Sequence, residues 1–166
     1  MLGGTWGGGL IMGRAHTAEH ARVAIVGHHT QLLHEMERRT GAVIAAVANG
    51  TPYEPPVLAL GEFLAGQVLP HAEAEEQTLY PAAVALPAAA LLIRAMKQEH
   101  RELGALAGRL ADDAGAVNAA ITAASIATLF SAHVTKENDL VLPALTEAGA
   151  DLPALLAGTE YLLRRQ

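Results

Sequence analysis

The chain contains one motif twice. Residues 71–82 read HAEAEEQTLYPA and residues 133–144 read HVTKENDLVLPA, so that in each a histidine precedes a glutamate by four positions and a proline by ten. A helix turns about 100° and rises about 1.5 Å per residue, which stacks positions i and i+4 on one face. His71 with Glu75, and His133 with Glu137, therefore point the same way. Each pair lies on an apolar stripe: Leu60, Leu64, Val68 and Leu79 accompany the first, and Ile126, Leu129, Phe130 and Val141 the second. Buried glutamates and imidazoles are costly unless something satisfies them. One such pair alone is commonly an exposed surface contact worth a few tenths of a kcal/mol. Two pairs with matching tails are what a helical bundle uses to face a buried metal pair.

The remaining periodicity supplies the other two walls. Helical patterns run over about residues 17–47, 55–79, 87–112 and 117–140, and residues 152–165 fit a short final helix. Turn signals separate them: Asn49-Gly50-Thr51-Pro52, Tyr80-Pro81, Asp112-Asp113-Ala114-Gly115, and Pro143 with Gly149. Pro70 falls inside the second helix and is expected to kink it. His29, with Val26, Leu33 and Met36, and His100, with Met96, Leu103 and Ala107, sit on the stripes of the first and third helices. The expected fold is all-α, an up-down-up-down four-helix bundle over residues 17–166 with a short C-terminal helix.

Composition narrows the chemistry. The 166 residues are 51% hydrophobic but only 4% aromatic, with a net charge of −6, eight histidines and no cysteine. Thiolate metal sites, disulfides and cysteine nucleophiles are excluded. An acidic chain without a lysine or arginine cluster makes poor contact with nucleic acid or an anionic membrane. Residues 1–16, with many glycines and no basic n-region, suit neither a membrane span nor a secretory signal. They are expected to form a flexible tail, and the protein to be cytoplasmic.

The order His29, His71-x-x-x-Glu75 ending in LYP, His100, then His133-x-x-x-Glu137 ending in VLP resembles the hemerythrin-like family, the HHE cation-binding domain. The resemblance covers about residues 17–144 and implies a four-helix bundle around two non-heme iron ions joined by an oxo or hydroxo bridge. Carried over residue by residue, it implies His29, His71, His100 and His133 as terminal ligands and Glu75 and Glu137 as bridges. His28 remains an alternative to His29, whose neighbours are the more apolar. Glu76 and Glu99 are expected to orient neighbouring imidazoles or to lie at the surface. Tyr80, Met36 and Met96 are expected to fill core, Tyr53 to stay away from the site, and His16, His20 and His34 to be solvated.

One departure bears on function. Oxygen-carrying members of the family have a second histidine on the third helix, and here the corresponding positions are Met96 and Gly104. With fewer imidazoles both irons keep room for a small ligand, which favours turnover or sensing over simple transport. The resemblance thus implies a di-iron protein acting on O2, H2O2 or NO, in peroxidase- or catalase-like turnover or redox defence. The alternative is non-catalytic sensing, binding or storage of oxygen or iron. A structural zinc site would employ only four of the six ligands.

Overall fold

The structure, a computed structural model, describes residues 8–112 and 115–165, with side chains from Thr17 onward. Among the described residues all regular structure is helical. The elements are α1 (Gly8–Ala48), α2 (Glu54–Phe63), α3 (Leu69–Gln77), α4 (Leu79–Val84), α5 (Ala90–Ala111), α6 (Ala116–Lys136), α7 (Leu142–Glu147) and α8 (Leu152–Leu163). Helix α1 begins at Gly8, earlier than the periodicity suggested, so part of the expected tail is helical. Extending an existing helix avoids the cost of nucleation, and glycine's penalty of about 1 kcal/mol per residue does not stop it. Residues 1–7 lie outside the described residues, as do Asp113 and Ala114 of the expected α5 stop.

Two of the helix ends are closed in the same way. At α1, Gly50 donates to the Val47 carbonyl and Thr51 to that of Ala46; at α7, Gly149 donates to Thr146 and Ala150 to Leu145. Both patterns need a residue of positive φ, and Gly50 (63°) and Gly149 (72°) provide it.

The prolines explain why two of the rods are segmented. Leu64–Val68 and Glu137–Val141 are π-helical turns, and each ends two residues before a proline, Pro70 or Pro143. Proline has no N–H to donate, and its ring crowds the carbonyl four residues back. A wider turn relieves both problems, with Leu69 N–H donating to Leu64 and Leu142 N–H to Glu137. The kink expected at Pro70 is thus taken up by a π-turn just before it. Pro81 is handled differently: α3 stops, Thr78 takes φ −121° and ψ −71°, and α4 restarts.

Helix α1 packs against α2 and α6, α5 against α6 and α2–α4, so four rods enclose one core. That core has three layers. One apolar cluster contains Leu32, Leu60, Phe63, Leu103, Ile126 and Phe130. The other contains Ile25, Leu79, Ile93, Met96, Val141 and Leu145. His29, His71, Glu75, His100, His133 and Glu137, all buried, lie between them in the order of every rod. Helix α8 packs on α1, α3 and α4, with Leu152 buried in the second apolar cluster and Leu155 and Leu156 laid against it. Asp151 caps it by accepting from Ala154 N–H at 3.1 Å. The α6–α7 stretch Ala116–Glu147 is long and apolar enough to cross a membrane. It contributes to both apolar clusters and to the polar layer between them.

Candidate metal centre

Each rod delivers its polar side chain from a position whose neighbours one turn away are apolar and buried, so the six groups converge. His29 Nε2 lies 3.3 Å from Glu75 Oε1 and 3.7 Å from Glu137 Oε2. His71 Nε2 lies 2.9 Å from Glu75 Oε1, and His100 Nε2 lies 3.8 Å from Glu75 Oε2. His133 Nε2 lies 3.7 Å from Glu137 Oε1 and 3.0 Å from His100 Nε2. The histidines thus form two pairs, His29 with His71 and His100 with His133. Glu75 and Glu137 stand between the pairs, each with one oxygen toward either side.

Several contacts are unsatisfied as they stand. Both nitrogens of His71 and Oε2 of Glu137 are buried without a hydrogen bond. The 2.9 Å approach of His71 to Glu75 is therefore close contact without hydrogen-bond geometry. His100 Nδ1 is 3.0 Å from Glu76 and His133 Nδ1 is 2.9 Å from Glu99, so carboxylates claim both Nδ1 protons. The two Nε2 atoms meet at 3.0 Å, a contact that needs a proton or a cation to hold it. Buried orphans of this kind call for an explanation. A cation supplies one: neighbouring ligands bonded at about 2.1 Å in octahedral positions stand about 3 Å apart, close to the spacings found. A void of about 10 Å³ also lies among His71, Glu75, His100, His133 and Glu137. That is about the space of one small ion or water. Two groups, His29/His71/Glu75/Glu137 and Glu75/His100/His133, could each hold a metal ion.

The electrostatics favour positive charge at this point. Burial alone would raise the Glu75 carboxyl, but His71 and His29 hold it well below the usual range. Burial lowers His29, yet hydrogen bonding and attraction from Glu75 and Glu137 outweigh it and bring the group to about 9. His133 is likewise raised against its burial, by Glu137 and Glu75. His100 is lowered, by burial and then by His133. Without a metal, protons serve as the counter-charge to the carboxylates.

Outside the six, the surroundings differ from one pair to the other. Lys97 holds Glu76 at 3.3 Å and Lys136 holds Glu99. His29 Nδ1 donates instead to the neutral Asn138 Oδ1 at 2.7 Å. Glu76 and Glu99 are thus orienting groups, one of the two roles expected of them.

His29, not His28, enters the site. His28 is half-buried beside it, its ring 4.9 Å from that of His71. His20 and His34 are exposed, and Met36 and Met96 are core. The side chain of His16 lies outside the described residues. Tyr53 packs on the apolar cluster away from the centre.

Tyr80 is core, as expected, and also reaches the centre. It is fully buried, as a core residue should be, but its hydroxyl donates to Glu137 Oε1 at 2.7 Å. It also lies 3.3 Å from His133 Nε2 and 3.4 Å from His100 Nε2. Helical spacing from Glu75 does not aim residue 80 inward; the break at Thr78 does. The one hint in the sequence is that its counterpart in the second motif is the apolar Leu142. Asn138 was also missed, because a single amide beside Glu137 carries no spacing signal.

A family model described as the Hemerythrin HHE cation binding domain matches residues 15–145, which take in most of each of the four rods and every residue of the centre. Among curated proteins and solved structures, none matches the chain. The match to so much of the chain, around a buried centre that calls for cations, makes this protein a member of the hemerythrin HHE cation-binding family.

Proposed function

We propose that the chain is a non-heme di-iron protein that takes oxygen, peroxide or a nitrogen oxide as its small ligand and turns it over, in peroxidase- or catalase-like redox defence. The observation that carries this reading is that Glu75 and Glu137 each turn one oxygen to each histidine pair. Two carboxylates so placed suit two ions as bridges, with two imidazoles per ion. Imidazole and carboxylate donors without thiolate, six in number, exceed what tetrahedral zinc employs and suit iron with open positions. Two such ions, when bound, supply redox equivalents and coordination positions for the small ligand.

The chain's own residues do the rest. Glu76, Glu99 and Asn138 hold the Nδ1 protons and so leave each Nε2 free toward the centre. The Tyr80 hydroxyl, within 3.4 Å of both His100 and His133 Nε2, would offer that side a further oxygen. The apolar clusters exclude water above and below. A cavity of about 170 Å³, lined by Ile25, His28, His71, Glu75, Leu79 and Leu156 among others, reaches the His71 side. It suits a molecule of a few heavy atoms.

The same small cavity favours a second reading, sensing, binding or storage of oxygen or iron, because it gives an organic reductant little room beside the centre. Metal content, the absorption spectrum and a peroxide challenge test both. Two irons per chain with near-ultraviolet bridge bands support the centre; one zinc in a colourless protein overturns it. Sustained oxygen release or donor oxidation supports turnover, and a single stoichiometric change supports sensing.

A further inference from the structure

The two histidine pairs are not equally built. Behind His100 and His133 stand Glu76 and Glu99, each steadied by a lysine, and Tyr80 adds its hydroxyl. A carboxylate accepting the Nδ1 proton makes Nε2 more basic and fixes its direction, and losing such a partner typically costs about 10- to 100-fold in metal affinity. Behind His29 is only the neutral amide of Asn138. Behind His71 there is no hydrogen bond at all.

Access is unequal in the same sense. His100 and His133 border only the central void of about 10 Å³, which they share with His71, Glu75 and Glu137. The cavity of about 170 Å³ touches His71 and Glu75, and its outer wall is α8, through Leu156, Thr159, Glu160 and Leu163. Exposed Ala24 and Glu160 lie on its lining, so it opens outward between α1 and α8. Helix α8 is fastened there by the Thr159–Thr78 hydroxyl contact of 2.8 Å.

We propose that the two cation positions differ in tenure: the one at His100 and His133 is held tightly, and the one at His29 and His71 exchanges with solution through the cavity beneath α8. This rests on the dinuclear reading above. His28, over the ring of His71, and Glu160 line the way in, and both can attract a cation in passing. The labile position is thus the one whose filling responds to the surrounding metal supply.

Anaerobic titration of the metal-free protein with ferrous iron tests this. The expected result is two binding steps at least about tenfold apart. Anomalous scattering at one equivalent should place the first ion at His100 and His133, and a chelator should remove the other ion first. Glu99→Gln should weaken the first step by about tenfold and spare the second, and Asn138→Asp should tighten the second. Leu156→Trp, which fills the cavity, should slow release of the labile ion without changing the first step. Two equal steps, a first ion at His29 and His71, or equal weakening of both steps by Glu99→Gln would each overturn the inference and leave the dinuclear centre standing. Binding of no cation, or of one only, would overturn the dinuclear reading and this inference with it.

Discussion

Tyr80 joins two demands at one residue: its ring fills the core and its hydroxyl serves the site. With no metal bound, burial and the nearby Glu137 and Glu75 carboxylates keep it a neutral phenol well above its usual range. Tyr80→Phe keeps the ring and removes a hydrogen bond to a carboxylate, worth about 1.5–3 kcal/mol. The metal-free variant should unfold at correspondingly lower denaturant, and the ferric protein should lose any visible phenolate-to-metal absorption. Unchanged stability and colour would assign Tyr80 to packing alone. Two neighbouring histidines should shape the pH response of the metal-free fold in opposite ways. His29 is raised to about 9, so its stabilisation is complete below pH 6.5 and is lost as pH rises through about 9. His28 is lowered to about 4, chiefly by burial and then by His71 and His29, so its stabilisation holds above pH 6.5 and is lost as pH falls toward 4. Thermal melts across pH 4–10 should decline on both sides of neutrality. The alkaline decline should disappear in the metal-loaded protein, whose His29 Nε2 is no longer free to carry a proton.

Among the elements, α8 is the one whose stability governs access rather than ligand geometry. Asp151→Ala removes its cap, at a cost of about 1 kcal/mol. Backbone amides of residues 154–163 should then exchange faster with solvent while those of α5 and α6 keep their protection. Equal acceleration everywhere would mean that α8 is integral to the bundle rather than a wall laid upon it. Elements also show where periodicity suffices and where it fails. The stripes through His29, His71, His100 and His133 locate four rods and the ligand layer because one apolar turn on either side of each histidine fixes its direction inward. The repeated His-to-Pro spacing suggests two equal halves, yet the backbone differs: a π-turn precedes Pro143, whereas a break at Thr78 precedes Pro81. Proline states that a hydrogen bond is missing but not how the neighbouring turns absorb the loss. Tyr80 and Asn138 owe their placement to those local choices, which is why spacing alone does not reveal them.

Across the whole molecule, the polar layer divides the core, so the metal is also a structural component. Its ligands must be free of protons to bind, and the buried groups it would satisfy otherwise rely on protons or go unpaired. A cation at about 1,000 times its dissociation constant adds about 4 kcal/mol to the folded state, provided the unfolded chain does not bind it. Removing metal should therefore lower the melting temperature by many degrees and loosen the bundle at its middle, with amides near His29, Glu75, His100 and His133 losing more protection than those near Leu106 or Ile126. Reloading should release protons into weakly buffered solution, because His29 and His133 carry raised pKa values when metal-free. Double substitution of Glu75 and Glu137 by glutamine separates the two contributions. It removes both carboxylate charges of the buried layer while leaving amides of similar size, so metal binding should fail, and with it both the thermal shift on adding metal and the proton release. A shift that persisted in this variant would mean that metal stabilises the fold from somewhere other than the buried layer.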